Sequence, residues 1–140
     1  MRRFIAIVAV VVSVAIIAPS HASDLGTIPG TYVVTGVVPD GTKYTLEARI
    51  LAEDKQTARI DYYIEGDLVA VGIGIRTGNV LSVIFQTSNG AIGLSSYKVE
   101  KNTLTGTWVL PGFKGHGIEV FTRSAGLRIP AKPPKQLEKA

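Results

Sequence analysis

Few side chains in this sequence are suited to chemistry, and the most conspicuous of them lie in one glycine-rich segment. Phe113, Lys114 and His116 fall within Pro111-Gly112-Phe113-Lys114-Gly115-His116-Gly117. An aromatic ring, a lysine and a histidine on such a loop could contact an anionic or aromatic ligand. The same glycines also let a long hairpin loop turn, in which case His116 is a solvated loop residue. The segment lacks the Gly-Lys-Ser/Thr ending and the following helix of a phosphate-binding loop.

The sequence contains no recognisable catalytic or metal centre. It has no cysteine and only two histidines, of which His21 belongs to the N-terminal export signal described below. Zinc sites of the usual composition and Cys-His pairs are therefore excluded, and no serine lies in a Gly-x-Ser-x-Gly context. Glu47 and Asp61 are interleaved with Arg49 and Arg59, which is typical of cross-strand charge pairs. We therefore predict a non-enzymatic protein with no catalytic residue, no metal and no cofactor.

Four aromatic residues with polar tips fall in four different strand-like segments. If their alternation places them inside, their hydroxyl and indole groups would line a cavity as hydrogen-bond donors. The alternative is a filled core in which these polar tips reach backbone carbonyls. Together with the loop residues they form the predicted ligand-binding site: Tyr44, Tyr62, Tyr97, Trp108, Phe113, Lys114 and His116.

The N-terminus has the pattern of a secretory signal peptide. Arg2 and Arg3 precede the apolar run Phe4–Ala18, which Pro19 ends just before Ser20-His21-Ala22. The run is shorter than the roughly 20 apolar residues that a membrane-spanning helix needs. We expect residues 1–22 to be removed by cleavage after Ala22. The processed protein would then be periplasmic or secreted and would not span a membrane.

The C-terminal residues 125–140 form a basic tail rich in proline, which favours an extended, solvated chain. A sharper interpretation is a tether to an acidic protein partner or an anionic surface. The whole chain carries a formal net charge of +4, and this excess lies largely at its two ends. A basic tail without a clustered basic face and interleaved aromatics argues against nucleic-acid binding.

Residues 23–124 have the signature of one β-domain, because short runs rich in valine, isoleucine, threonine and tyrosine alternate with turn residues. The connections are too short for crossover helices, so neighbouring strands must pair as antiparallel hairpins. The predicted strands are Thr31–Val38, Thr42–Ala52, Thr57–Glu65, Leu68–Arg76, Val80–Thr87, Ala91–Glu100, Thr103–Leu110 and Ile118–Arg123.

Alternation in the second and third segments separates an apolar face from a polar one. The apolar members are Tyr44, Leu46, Ala48, Ile50 and Ala52, followed by Ala58, Ile60, Tyr62 and Ile64. The fourth segment is apolar on both faces, and its glycines suggest bulges or tight curvature.

A sheet with one apolar face and no helix to cover it is best closed on itself, which also removes its exposed edges. We predict an all-β, eight-stranded antiparallel up-and-down meander closed into a small barrel, with a two-sheet β-sandwich as the alternative. A small outer-membrane barrel is a further alternative, and it would require Lys43, Glu47 and Arg49 to point inside.

Three stretches carry a resemblance to known proteins: Gly30–Tyr44, Tyr97–Glu100 and Leu104–Trp108. Their Gly-x-Tyr and Gly-x-Trp strands resemble a group of uncharacterised exported bacterial proteins. In shape the chain is also similar to the calycin group, whose lipocalins imply carriage of a small apolar ligand and whose avidins imply biotin binding in tetramers. The single tryptophan, Trp108, departs from the several that avidins stack around biotin.

The leading functional expectation is an exported binding protein that holds a small, partly apolar ligand in a calycin-like barrel. The alternative is a protein-interaction or inhibitor module of the cell envelope, with a solid barrel core and contacts through loops, a strand edge or the basic tail. A weaker alternative is an enzyme with a Tyr/Lys/His site.

Overall fold

Eight antiparallel strands of one closed sheet make up most of the computed structural model, which describes residues 21–125. Each strand pairs with the next in sequence, and β8 pairs with β1 to close the barrel. The strands are β1 Gly30–Val37, β2 Lys43–Ala52, β3 Thr57–Ile64, β4 Asp67–Thr77, β5 Val80–Thr87, β6 Ile92–Val99, β7 Thr103–Val109 and β8 Gly117–Arg123. The predicted up-and-down barrel is confirmed, and every predicted strand boundary lies within one residue of the observed one.

The predicted signal peptide and tail fall largely outside the described residues, because 1–20 and 126–140 are not among them. The barrel has two distinct ends. We call the end that carries the β1–β2, β3–β4, β5–β6 and β7–β8 connections the loop end, and the opposite one the terminal end. The tightest connection at the loop end is Glu65-Gly66, whose φ angles of 50° and 85° are both positive. Such a pair is typical of the type I′ hairpin turn.

The terminal end is closed by residues 23–29, which lie across it before β1 begins. Leu25 and Ile28 are both buried in the core. The hydroxyl of Tyr32 donates a hydrogen bond to the Ile28 carbonyl oxygen at 2.6 Å. Arg123 donates to the Pro29 carbonyl at 3.1 Å and to the Tyr32 hydroxyl at 2.8 Å, and its guanidinium carbon lies 4.9 Å from the Tyr32 ring centroid. These contacts seal this end of the barrel.

Phe121 lies at the centre of the barrel and separates a filled half from a hollow one. Its ring makes edge-to-face contacts with Tyr32, Tyr62 and Tyr97, at centroid distances of 5.9, 6.1 and 5.0 Å. Around Phe121 and away from the cavity, the interior is packed with apolar side chains. These include Val34, Ala48, Ile50, Ala58, Ile60, Leu81 and Leu104.

The polar face of β2 points outward, as its alternation predicts, whereas β3 is buried on both faces at its centre, where Asp61 and Tyr63 are each 1% exposed. Lys43, Glu47 and Arg49 alternate with the buried Ala48 and Ile50 and lie on the outer surface. The outer-membrane barrel alternative required these three residues inside, so the structure contradicts that arrangement. Two predicted apolar positions are exceptions, because Ala52 and Ile64 are exposed where β2 and β3 end.

Arg59 and Asp61 form a charge pair within β3, with Arg59 Nε 2.7 Å from Asp61 Oδ1, whereas the predicted pairs were between strands. Asp61 also faces Arg49 directly across the β2–β3 ladder. Asp61 is nevertheless only 1% exposed. Its carboxylate is therefore a buried charge held by arginine and not the solvated surface charge that the alternation predicts.

On β4, the size of the side chains and not their hydrophobicity determines which face points into the barrel. Gly72 and Gly74 point inside, whereas Ile73 is 61% exposed on the outer surface. A Cβ on Gly72 would lie 2.8 Å from Val83 Cγ1, so the β5 side chains already fill the interior there. The pairing of β3 with β4 shifts register at Val69, opposite Tyr62 and Tyr63. The irregularity therefore does not lie at the glycines of β4, where bulges or tight curvature were predicted.

Candidate functional site

A cavity of about 220 Å³ occupies the half of the barrel between Phe121 and the loop end. From the described residues, its walls contain five aromatic rings, several apolar side chains and one carboxylate. The lining residues are Tyr44, Leu46, Tyr62, Val69, Ala70, Phe85, Thr87, Tyr97, Trp108, Leu110 and Glu119. Thr87 and Leu110 adjoin the β5–β6 and β7–β8 connections, so the cavity lies against the loop end.

Glycines on neighbouring strands make room for the aromatic walls. The rings of Tyr44 and Trp108 lie over Gly36 and Gly117, their direct partners across the ladder. A Cβ on Gly36 would come within 2.1 Å of Tyr44 Cζ, and one on Gly117 within 2.1 Å of Trp108 Cε2. The same arrangement pairs Tyr97 with Gly106 and Phe85 with Gly93. Cross-strand glycine positions therefore fix how the site aromatics lie.

A hydrogen-bonded chain of four side chains forms the polar wall of the cavity. Trp108 Nε1 donates to the Tyr44 hydroxyl at 2.7 Å, and this hydroxyl in turn donates to Glu119 Oε1 at 2.7 Å. The Tyr97 hydroxyl donates to Glu119 Oε2 at 2.6 Å. Both carboxylate oxygens thus accept a phenolic proton, and the four groups orient one another.

Burial has the largest effect on the pKa values of the titratable side chains in this hydrogen-bonded network. Desolvation raises the pKa of Glu119 above its ordinary value, although the hydrogen bonds from Tyr97 and Tyr44 work in the opposite direction. Desolvation and the neighbouring Glu119 also raise the pKa values of Tyr44 and Tyr97. The phenols therefore remain protonated donors, as a buried carboxylate requires.

One polar group in the cavity wall is left unsatisfied. The Tyr62 hydroxyl is buried and has no hydrogen-bond partner of normal geometry among the described residues, and the same holds for Ser95 Oγ. Burial raises the pKa of Tyr62, and the nearby Tyr97 and Ser95 side chains lower it by a smaller amount. Tyr62 is 5% exposed and lines the cavity. An unpaired buried hydroxyl costs free energy, so a ligand or water that bonds to it is favoured.

The structure brings together four of the seven predicted site residues. Tyr44, Tyr62, Tyr97 and Trp108 all line the cavity. Phe113 lies just outside the lining and packs edge to face on Trp108, with ring centroids 5.6 Å apart. Lys114 and His116 are exposed on the β7–β8 loop and do not line the cavity.

Comparisons with known proteins bear on the fold. The chain is similar to designed β-barrels. A redesigned barrel, b11L5F_LGL, aligns with a TM-score of 0.64 at 12% identity, over 76% of this chain and 99% of that one. The redesigned barrel mFAP1, bound to DFHBI, aligns with a TM-score of 0.60 at 16% identity, over 68% and 94% of the two chains. EF1p2_mFAP2b, also bound to DFHBI, aligns with a TM-score of 0.58 at 13% identity, over 69% and 93%. No protein family and no curated protein matches this sequence.

Sequence reasoning missed Glu119, the one acidic residue that the described part of the chain contributes to the lining. Its strand places Gly117, Glu119 and Phe121 inside, while Ile118 is 48% exposed. Hydrophobicity favours the opposite assignment, because Ile118 and Val120 are the aliphatic residues of the strand. In the sequence, Gly117 indicates the inward face of this strand, because it is the cross-strand partner of Trp108 and must lie on the same face of the sheet.

Within residues 21–125, no group of three or more histidine, cysteine, aspartate or glutamate side chains is arranged to hold a metal ion. Within the same range, no helix has the length and apolar character needed to cross a bilayer.

Replacing Glu119 by glutamine is expected to change how stability depends on pH. A folded pKa raised above the ordinary 4.5 means that the native state binds this proton more tightly than the unfolded chain. The free energy of unfolding of the wild type therefore falls as pH rises from about 4.5 to the raised pKa, and E119Q lacks this decrease. The stability of E119Q relative to wild type should increase across that window and then level off.

Urea unfolding over a pH series measures this difference. Asp40 and Asp54, whose pKa values are lowered by hydrogen bonds from residues 42 and 56–57, contribute the opposite slope. They do so equally in both proteins, so they cancel in the comparison. A difference between E119Q and wild type that is independent of pH would contradict the shifted carboxyl.

Proposed function

We propose that this protein is a non-enzymatic, exported binding protein that holds one small, partly apolar ligand in the cavity at the loop end of the barrel. The observation that carries the proposal is a cavity with mostly apolar walls and a few converging polar groups, which is the usual composition of a small-molecule site. The Tyr62 hydroxyl supports it, because this buried group makes no hydrogen bond of normal geometry among the described residues.

The size of the cavity limits the ligand. Small-molecule pockets usually measure about 300–1,000 Å³, and a cavity of about 150 Å³ accommodates benzene. The cavity of about 220 Å³ is larger than one that accommodates benzene and smaller than most small-molecule pockets. It suits a molecule with about one ring. Designed barrels of the same fold, described with DFHBI bound, support the idea that such an interior can take a ligand. Export is proposed from the signal-peptide pattern of residues 1–22.

The non-enzymatic part of the proposal is supported by the way the polar groups are engaged. Both oxygens of Glu119 already accept phenolic protons, and the tyrosines beside it have raised pKa values. These groups are arranged as a fixed network rather than as a base beside a nucleophile.

Filling the cavity tests the proposal. Ala70 is 9% exposed, lines the cavity and pairs with Tyr62 across the β3–β4 ladder. Ala70→Leu places three more carbon atoms in this space, so we expect affinity for one-ring probes to fall at least about tenfold with the fold retained. Trp108 lines the cavity and is the chain's single tryptophan, so its fluorescence reports binding directly.

The matched control is Thr105→Leu, which adds an apolar side chain on the outer face of β7. Phenyltrimethylammonium, tert-butylbenzene and benzoate serve as cationic, neutral and anionic probes. Equal affinity for every probe in the wild type and in A70L, or saturable binding of none of them, would refute the cavity as a ligand site.

An exposed apolar row on the barrel favours a second candidate function, contact with a protein partner. The row crosses four strands through direct partners: Ile73, Ile84, Leu94 and Val109. Their exposed fractions run from 46% to 61%, and contiguous apolar surface of this kind often marks interaction sites. The closed barrel leaves no strand edge among the described strands, so this contact would use the face of the sheet.

If the row is a contact surface, Leu94→Lys should abolish cross-linking to a partner and leave the affinity of the cavity unchanged. Cross-linking of the intact protein before and after the change measures this. Equal cross-linking of both forms would remove the row from consideration.

A further inference from the structure

Glu119 is a buried carboxylate that lacks a cationic partner. It is 7% exposed, and its hydrogen bonds come from the phenols of Tyr44 and Tyr97. Between residues 21 and 125 no lysine, arginine or histidine forms an ion pair with it. Two phenolic hydrogen bonds reduce the cost of a buried negative charge without neutralising it. The wall of the cavity therefore carries a charge that a bound cation would compensate.

The rings around this carboxylate supply a second attraction for a cation. Tyr44, Tyr62, Tyr97, Trp108 and Phe85 come from five different strands and line the same space. Electron-rich ring faces within about 6 Å attract ammonium groups, by about 0.5–1 kcal/mol at exposed sites and about 2 kcal/mol or more when desolvated. Boxes of aromatic rings are a common means of recognising quaternary ammonium ions.

Other ligand classes fit this wall less well. An anionic ligand would be repelled by Glu119, and among residues 21–125 no basic side chain lines the cavity to offset that repulsion. A neutral apolar ligand would fill the space but leave the carboxylate uncompensated. The volume of about 220 Å³ also excludes long acyl chains and peptides.

We propose that the cavity selects a small organic cation, an ammonium group attached to an apolar or one-ring body, with Glu119 as its counter-ion and the surrounding rings as its walls. This inference rests on the proposed binding function and adds the chemical class of the ligand. Tyr62 lines the same space and adds a further ring to its walls.

The direct test compares two probes of nearly equal shape that differ in charge. Phenyltrimethylammonium and tert-butylbenzene are titrated into the intact protein while Trp108 fluorescence is recorded. We expect the cation to bind at least about tenfold more tightly, which corresponds to about 1.4 kcal/mol. Equal affinity for the two probes would overturn the cation preference while leaving the binding function in place. Binding of neither probe would refute both.

The charge of Glu119 is tested by E119Q, which keeps the shape of the side chain and an acceptor oxygen. The preference for the cation over tert-butylbenzene should fall at least about fivefold, and retention of the full preference would overturn the role of Glu119. Thermal unfolding of E119Q establishes that the variant is folded.

A pH series on the wild type keeps the test decisive if E119Q is unstable. Affinity for the cation should fall as pH falls through the raised pKa of Glu119, because the protonated carboxyl is neutral, whereas affinity for tert-butylbenzene should stay level. The titratable groups that face Glu119 are Tyr44, Tyr62 and Tyr97, whose pKa values are all raised, so they stay neutral throughout. The exposed loop residue His116 is removed as a contributor by repeating the series in H116Q. A cation affinity that does not change with pH would contradict the proposal.

Discussion

Phe121→Ala is expected to lower the free energy of unfolding by about 3–5 kcal/mol, the usual cost of deleting a buried phenylalanine ring. Phe121 is 1% exposed and packs edge to face on Tyr32, Tyr62 and Tyr97. Its removal deletes three ring contacts at once and opens a void between the filled half of the barrel and the cavity. Closed β-strands on all sides limit collapse around that void, so the cost should lie towards the upper part of the range.

The matched control is Phe113→Ala, the same substitution at a ring that is 45% exposed on the loop. Its cost should stay below about 1 kcal/mol, since exposed positions contribute little. Urea unfolding of both variants measures the two values. Similar losses for F121A and F113A would contradict the central position of Phe121.

Gly106→Val is expected to lower the free energy of unfolding by about 1–3 kcal/mol and to displace Tyr97 from Glu119. A Cβ on Gly106 would lie 2.0 Å from the Ser96 carbonyl oxygen and 2.6 Å from Tyr97 Cδ1. The backbone oxygen cannot swing aside as a side-chain atom can, so the β6–β7 ladder must shift. Loss of the Tyr97 hydrogen bond would leave Glu119 Oε2 without its donor and weaken cation binding.

Thr105→Val serves as the control for this substitution, because it places the same side chain on the outer face of the same strand. It should change the free energy of unfolding by no more than about 0.5 kcal/mol. Chemical denaturation followed by Trp108 fluorescence gives both values. If G106V were as stable as T105V, the close packing of Tyr97 on Gly106 would be wrong.

The strand boundaries could be predicted because the turn residues are unambiguous. Glu65-Gly66 and Asn89-Gly90 lie between runs of strand-forming residues, and connections so short impose antiparallel pairing. Closure into a barrel followed from the lack of any segment suited to cover the apolar face. The inward positions of β2 and β3 followed from strict alternation, and these supplied Tyr44 and Tyr62.

The rest of the site depends on pairing register, which hydrophobicity alone does not determine. Glu119 points inside because Gly117 must lie under Trp108, although Ile118 is the more apolar residue. Gly72 points inside for a related reason, since side chains of β5 already occupy the space. Lys114 and His116 lie on a loop that has no periodicity, so their absence from the cavity lining could not be predicted.

In the proposed function, a small organic cation binds inside the loop end of the barrel, against Glu119 and the surrounding rings. The most direct measurement follows the single indole N–H resonance of Trp108 in a ¹H–¹⁵N correlation spectrum during titration with phenyltrimethylammonium. Because this N–H donates to Tyr44 within the Glu119 network, we predict a saturable shift whose midpoint moves to at least about tenfold higher ligand concentration in A70L. An unmoved indole resonance, or shifts confined to residues on the outer face, would contradict the account.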